Sequence, residues 1–396
     1  MGIKAAGHGV VAIIGGQAGS EGKGKIAGNL ALNHEGSPYN FVASIANFMP
    51  NAGHTWVDDN GDKVMVQQLP QACINPDLNL YISAGSAVEI DILKSEIRRY
   101  EVDLDRLFIH PRAMIIEERH RQAEAEALNR ISSTLKGCGY ATADKVSRNA
   151  QTMLAQDSKE LQELGIVPTQ QEFEDAIWND LTQGDVMLEA PQGYDLDINH
   201  GLEYPHCTSR QTSATQAMAD AGLPSILFKD VIAVIRPYPI RVGNATDEDG
   251  NVVGYSGDYD GAEEISWEEV AKRSGTPVEE INEITTVSKK IRRVFEFHPD
   301  RLARMVRLSG VSTIALNFAN YIDYTIKGKS EVQALTEDII RMCYEIENQT
   351  GAQVGLIGTG AKDSEIISLM NIDKEDQDWL QGKMKEYYPA LFGEEE

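Results

Sequence analysis

Five apolar residues, Val10-Val11-Ala12-Ile13-Ile14, run straight into Gly15-Gly16-Gln17-Ala18-Gly19-Ser20-Glu21-Gly22-Lys23-Gly24-Lys25. The apolar run reads as a buried strand, and residues 25–32 carry a helical pattern. Strand, glycine-rich turn and helix start make one kind of unit, a cradle for an anion. Glycines let backbone N–H groups turn inward, the helix N-terminus adds positive potential, and lysines add charge. The chain is therefore expected to hold nucleotide phosphates. Gly19, four residues and Gly24-Lys25 match the start of the phosphate-loop pattern. Ile26 stands where that pattern has the Ser or Thr that holds Mg²⁺, so the metal must find other oxygens.

Apolar runs recur at 64–66, 80–82, 107–109, 186–188, 231–235, 313–316 and 354–357. Helical patterns at 117–131, 168–181, 301–308 and 332–349 separate many of them, and Pro168 suits a first helical turn. Strands alternating with helices imply an α/β fold with a large, mostly parallel central sheet and flanking helices. The chain has 396 residues, enough for one large domain, and no repeat or low-complexity linker divides it. The expectation is a single domain with excursions, the main one an acidic stretch at 247–283.

The formal net charge of −25 argues against nucleic acid as a partner, because a phosphate backbone demands a basic face. Cys73, Cys138, Cys207 and Cys343 form no C-x-x-C pair, which fits a reducing compartment and no zinc site. No apolar run reaches 18 residues and the N-terminus lacks a signal-type core. A cytoplasmic protein with no membrane partner is expected.

Further clusters carry chemistry-bearing residues. Asn51-Ala52-Gly53-His54-Thr55 is a small-residue turn ending in the side chain best suited to move protons near neutral pH. Ser133-Thr134-Leu135-Lys136-Gly137-Cys138-Gly139, followed by Asp144-Lys145-Val146-Ser147-Arg148, offers hydroxyls and a guanidinium to a phosphate monoester. A surface loop explains that cluster equally well. Glu189-Ala190-Pro191-Gln192-Gly193 follows a strand, where α/β sheets bind ligands. Gln192 has both a donor and an acceptor for the amide edge of a base. Cys207-Thr208-Ser209 adds hydroxyls, and Lys289-Lys290-Ile291-Arg292-Arg293 is a basic run suited to a carboxylate, a polyphosphate or plain solvent.

Taken in order, these clusters resemble adenylosuccinate synthetase along nearly the whole chain. That family carries GxQxGDEGKGK, NAGHT, a Thr-x-x-Gly-x-Gly loop ending DKVxR, E-x-x-Q-G, a Thr-Ser loop, a basic aspartate loop and a final S-T-G turn. Here they stand as GGQAGSEGKGK, NAGHT, Thr134 with GCG and DKVSR, EAPQG, CTS, TTVSKKIRR and Gly358-Thr359-Gly360. The resemblance implies a two-step ligation. A nucleoside triphosphate phosphorylates the 6-oxygen of a purine monophosphate, and the amine of L-aspartate then displaces the phosphate.

The resemblance also implies roles, position by position. Ser20, His54 and Gln192 would act at the reacting purine. Gly19, Ser20, Glu21, Gly22, Lys23, Gly24, Lys25, Gly53, His54, Thr55, Asn317, Phe318, Asn320, Gly358, Thr359 and Gly360 would surround the triphosphate. Ser20, Asn51, Ser133, Thr134, Arg148, Gln192, Cys207 and Thr208 would hold the monophosphate. Thr285, Thr286, Lys289, Arg292 and Arg293 would grip aspartate, with one extra residue in that segment. Ser20 and the Gly53 carbonyl would face Mg²⁺, and the active form would be a homodimer.

Two departures from the family pattern bear on the substrates. Ser20 stands where the family has an aspartate that takes the N1 proton and meets the metal. A serine hydroxyl is a poor base and a weaker Mg²⁺ ligand. A viral branch of the family carries the same replacement and acts on dGMP, toward 2-aminoadenine in DNA. A smaller, uncharged Ser20 leaves room for a 2-amino group, which points to dGMP. The family's guanine-reading T-K-x-D is here Asn317-Phe318-Ala319-Asn320, which points to ATP or dATP instead of GTP. The alternatives are an ordinary enzyme acting on IMP and a non-catalytic nucleotide-binding protein.

Overall fold

The computed structural model describes residues 7–127, 131–247, 249, 251–281, 283 and 291–389. Among them, nine strands form the main sheet: β1 (Val10–Gly15), β2 (Phe41–Ala46), β3 (Asn79–Ile82), β4 (Leu107–Ile109), β5 (Asp185–Glu189), β6 (Phe228–Ile235), β7 (Thr313–Leu316), β8 (Gln353–Gly358) and β9 (Ile366–Ser368). Their order is β9-β8-β7-β6-β1-β5-β2-β3-β4, parallel throughout except for β9 against β8. The expected mostly parallel α/β sheet is what the chain forms.

Each expected apolar run is a strand, although 64–66 pairs with His54–Val57 in a separate hairpin. β2 escaped the sequence reading because its Ala and Ser positions dilute the β-branched signal. The sheet is covered on both faces, which is why β1 is apolar at successive positions. Val10, Ala12 and Ile14 pack with Phe173 and Ile177 of α3 (Gln170–Gln183), Leu302 and Met305 of α4 (Pro299–Ser309), and Ile339 of α5 (Glu337–Thr350). Val11 and Ile13 pack on the other side with Ile26, Ala27 and Leu30 of α1 (Lys23–Ala31).

Three helix readings need correction. Pro168 lies before the helix, whose N-cap is Thr169, closed by a capping box with Glu172. The proline at a first helical turn is instead Pro299 of α4. The 332–349 pattern breaks into a 3₁₀ turn, Val332–Ala334, and α5, because Leu335 and Thr336 hold extended backbones between them. The 117–131 pattern is helical over Glu118–Ala127, and residues 128–130 lie outside the described ones.

The acidic stretch is more structured than its composition suggests. It carries part of a hairpin, Ala245–Thr246 with Val252–Gly254, and a helix, Trp267–Ser274. A small antiparallel sheet joins Ile240–Arg241, Arg293–Phe295 and Glu264–Ile265 over a core of Ile240, Trp267, Val270 and Val294. Among the described residues no helix is long and apolar enough to cross a membrane.

The strand order reverses beside β1. The chain fills β2, β3 and β4 on one side, and β6, β7 and β8 on the other. Ligands of such sheets lie outside the strands' carboxyl ends at this reversal. The loops after β1, β2, β5, β6, β7 and β8 all emerge there.

Candidate active site

The loop after β1 and the loop after β5 meet through bare backbone. A Cβ on Gly15 would stand 2.3 Å from Gln192 O, and one on Gly193 would stand 2.1 Å from Gln17 O. Both contacts require glycine. Between them lies Glu21, fully buried, whose carboxylate accepts from the N–H groups of Gln17 (3.1 Å) and Gly19 (2.7 Å). Glu21, expected beside the triphosphate, thus shapes the loop from within.

Both loop lysines are engaged inside the protein. Lys23 Nζ donates to Gln192 O and pairs with Glu21 at 3.3 Å. Lys25 Nζ donates to Gly360 O and Glu365 O, both at 2.6 Å. Burial lowers the Lys25 ammonium to about 8. Lys25 therefore joins the phosphate loop to the Gly358-Thr359-Gly360 turn. Asn317 braces the same junction: its Nδ2 donates to Glu21 O (3.0 Å) and Gly22 O (3.2 Å). Thr359 is fully buried, its hydroxyl donating to Lys329 O at 2.7 Å.

His54 opens the hairpin after β2. Its ring is buried against Phe48 at 4.0 Å between centroids, and Nδ1 has no hydrogen-bond partner. Burial, with Lys23 nearby, holds the imidazole well below its usual range, so it rests neutral. The hairpin is anchored by Trp56 Nε1, which donates to Asp363 at 2.6 Å. Gln192 Oε1 is likewise buried without a partner. Two unsatisfied polar atoms, one on a loop that Lys23 bonds and one close enough to feel its charge, suit the polar edge of a purine. Gly53, Thr55 and Ser20 are exposed at the mouth, with Gly19 half-buried beside them.

Several monophosphate candidates border helix α2 (Cys138–Val146), with Ser133 and Thr134 before its start and Arg148 after its end. A Cβ on Gly139 would stand 3.1 Å from Ser209 Cβ, so the 207–209 loop lies on the start of α2. The Asn51 N–H faces the buried Cys138 thiol. Thr208 is buried, while Thr134 and Arg148 are exposed. Glu124 takes the Ser133 hydroxyl at 2.7 Å and the Gly137 N–H, donors of the kind a phosphate uses.

Thr285, Thr286 and Lys289 lie outside the described residues. Arg292 donates to Glu283 at 2.8 Å, and Arg293 to Glu264 at 2.6 and 2.9 Å. Both guanidiniums thus already face carboxylates of the chain. Phe318 and Asn320 follow β7, with Asn320 O accepting from Thr276 at 3.3 Å.

Ser20 (φ 58°), Arg148 (57°), Gln192 (52°) and Phe318 (61°) all hold left-handed backbones without being glycine. Such strain persists only where the surroundings enforce it and gathers at functional sites. The sequence reading missed Arg236, which is fully buried behind the phosphate loop. A charged residue one position past a central apolar strand was the available signal.

The family model described as adenylosuccinate synthetase matches residues 12–164 and 154–324. An N6-succino-2-amino-2′-deoxyadenylate synthase of Acinetobacter phage SH-Ab 15497 is 30% identical over 91% of this chain and 93% of its own length. Adenylosuccinate synthetase of Methanococcus vannielii is 31% identical over 91% of this chain and 98% of its own. Among solved structures, cyanophage S-2L succinoaminodeoxyadenylate synthetase, bound to dGMP and dATP as an energy donor, superposes with a TM-score of 0.75. It is 27% identical, and the match covers 95% of this chain and 99% of that one.

Proposed function

The chain belongs to the adenylosuccinate synthetase family, and from that membership we propose that it joins L-aspartate to carbon 6 of dGMP. ATP or dATP gives its γ-phosphoryl group to the 6-oxygen of dGMP. The aspartate amine then attacks carbon 6 and the phosphate leaves with that oxygen. The products are N6-succino-2-amino-2′-deoxyadenylate, a nucleoside diphosphate and phosphate. Such a product serves 2-aminoadenine DNA synthesis, and a phage-encoded enzyme would make it in the host cytoplasm.

Ser20 carries the reading. It is an exposed, uncharged residue at the mouth of a loop whose acidic member, Glu21, is buried and spent on backbone N–H groups. A side chain this small and uncharged would leave room for a 2-amino group, and its hydroxyl oxygen could accept that group's hydrogen bond. The phage relatives that share the similarity are named for the dGMP-derived product. The cyanophage neighbour's dATP supports an adenine donor, with Phe318 as the stacking surface.

Phosphoryl transfer asks mainly for positioning and charge neutralisation. Lys23, held at the loop by Glu21 and Gln192 O, and the loop N–H groups that Glu21 does not take would supply both. Gln192 orients the base through its unpartnered Oε1. His54 starts neutral, and incoming phosphates favour its proton, readying it to donate toward the 6-oxygen. Thr134, Thr208 and Arg148 take the monophosphate, while Arg292 and Arg293 serve aspartate.

The residues fit Mg²⁺ arriving on the triphosphate. Nothing would crowd a Cβ within 4 Å of Gly53, and no group of three His, Cys, Asp or Glu among the described residues competes for the ion. Gly53 O and the Ser20 hydroxyl would complete its shell, and the ion would neutralise phosphate charge. Exposed Leu135 and Val146 flank Thr134 and Arg148, which supports a homodimer covering that rim.

The test offers dGMP and IMP separately, each with aspartate and ATP, and identifies products chromatographically. A succino product from dGMP is expected; turnover of IMP alone overturns the reading. The identity to the archaeal enzyme makes IMP the competitor to beat. Ser20→Asp is expected to shift preference toward IMP, and an unshifted ratio removes Ser20 from substrate choice.

A further inference from the structure

Arg236 heads the large fully buried side chains among the described residues, and the proposed reaction does not use it. It lies one residue past β6, where its backbone is clamped to the phosphate loop. Gln17 Nε2 donates to Arg236 O at 2.9 Å, and Arg236 N–H donates to Gln17 Oε1 at 3.0 Å. The guanidinium faces three ways. It donates to the Ser20 carbonyl at 3.2 Å. Both amino groups reach the Glu283 carboxylate, the longer contact being 3.1 Å. Its carbon lies 4.2 Å from the centre of the Phe318 ring. Glu283 passes the contact on, accepting from Arg292 at 2.8 Å.

We infer that Arg236 is a positioning residue that, through Glu283, aims Arg292 at the amino-acid substrate in register with the phosphate loop. The inference rests on the reading of Arg292 as an aspartate contact. Burial works against the Arg236 charge, and Glu283 more than restores it; burial likewise disfavours the Glu283 charge, and Arg236 and Arg292 hold that carboxyl below its usual range. A planar fork can bond two carboxylate oxygens, reach a carbonyl and stack on a ring at once. A lysine ammonium is a point charge with no plane to stack. Neutralising Glu283 leaves two guanidiniums facing each other without their mediator.

The experiment compares Glu283→Gln, Arg236→Lys and the double variant with the parent in the full chain. Steady-state kinetics give KM for L-aspartate and kcat, and equilibrium dialysis gives Kd for dGMP. Each single variant is expected to raise the aspartate KM about tenfold or more while the dGMP Kd stays within about twofold. The double variant should be no worse than the poorer single one, because both substitutions break the same relay. An aspartate KM within about twofold of the parent in folded Glu283→Gln, or additive losses in the double variant, overturns the inference. If Arg236→Lys does not fold, Glu283→Gln decides alone. If the parent uses only IMP, the same comparison runs on IMP: the dGMP reading falls and the relay is judged on its own numbers. If neither purine turns over, aspartate binding measured calorimetrically replaces KM.

Discussion

The floor of the site and its rim are built on opposite plans. The floor is closed upon itself: Glu21 satisfies loop N–H groups, Lys23 bonds Gln192 O, and Asn317 braces the loop after β1. Glu189 beneath it accepts from Ser44 (2.9 Å), Gln71 N–H (2.9 Å) and Ala72 N–H (3.2 Å). The rim leaves Thr134 and Arg148 exposed, and its own Glu124 takes donors suited to phosphate. The floor is organised before any ligand arrives. On the proposed reading the rim gains its proper anion only with the monophosphate. The proposed function would then place chemistry that needs fixed geometry on the floor and binding that tolerates adjustment on the rim.

The largest expected effect lies at the floor's reactive edge. His54→Ala should lower kcat by about 10² to 10⁴, the usual worth of a positioned acid–base group, with donor-nucleotide Kd unchanged. Retained turnover would take His54 out of the chemistry. Next, Gly193→Ala drives a methyl against Gln17 O and Gly19 N, at 2.1 and 2.5 Å. Overpacking should cost about 3 kcal/mol by denaturant unfolding. A loss near zero would mean that the floor is pliable and the contrast false. At the rim, Arg148→Ala should raise the dGMP KM about tenfold while stability stays within about 0.5 kcal/mol. A parallel loss of stability would make the rim structural after all.

The smallest effect is a pH slope. Burial raises the Glu189 carboxyl to about 7. Because its folded value lies above the unfolded one, the stability it contributes is whole below about pH 4.5 and is lost as pH rises through about 7. Glu189→Gln removes that titration. Its melting midpoint should therefore fall less than the parent's between pH 5 and pH 8, whatever its absolute stability. Equal falls would show that the floor carries no such buried proton.

This contrast also explains what could be read from the chain alone. Local signals sufficed for β1, β6 and β8, whose runs are apolar at nearly every position. They failed for β2, where Ser44 is buried because a partner 145 residues away receives its hydroxyl. The motif loops were legible because glycine spacing and strand ends are local facts. The roles of Glu21 and Lys25 were not, since their acceptors and donors depend on how the loop closes. Arg236 and Glu283 meet across 47 residues, and no periodicity announces such a pair.

Gly15 and Gly193 let the two loops touch backbone to backbone, with the Glu21 carboxylate as the one side chain held against both. It follows that these loops are inherited as a pair. Transplanting residues 189–193 from a relative to alter base choice would disturb the grip on the triphosphate unless residues 15–22 travelled with them.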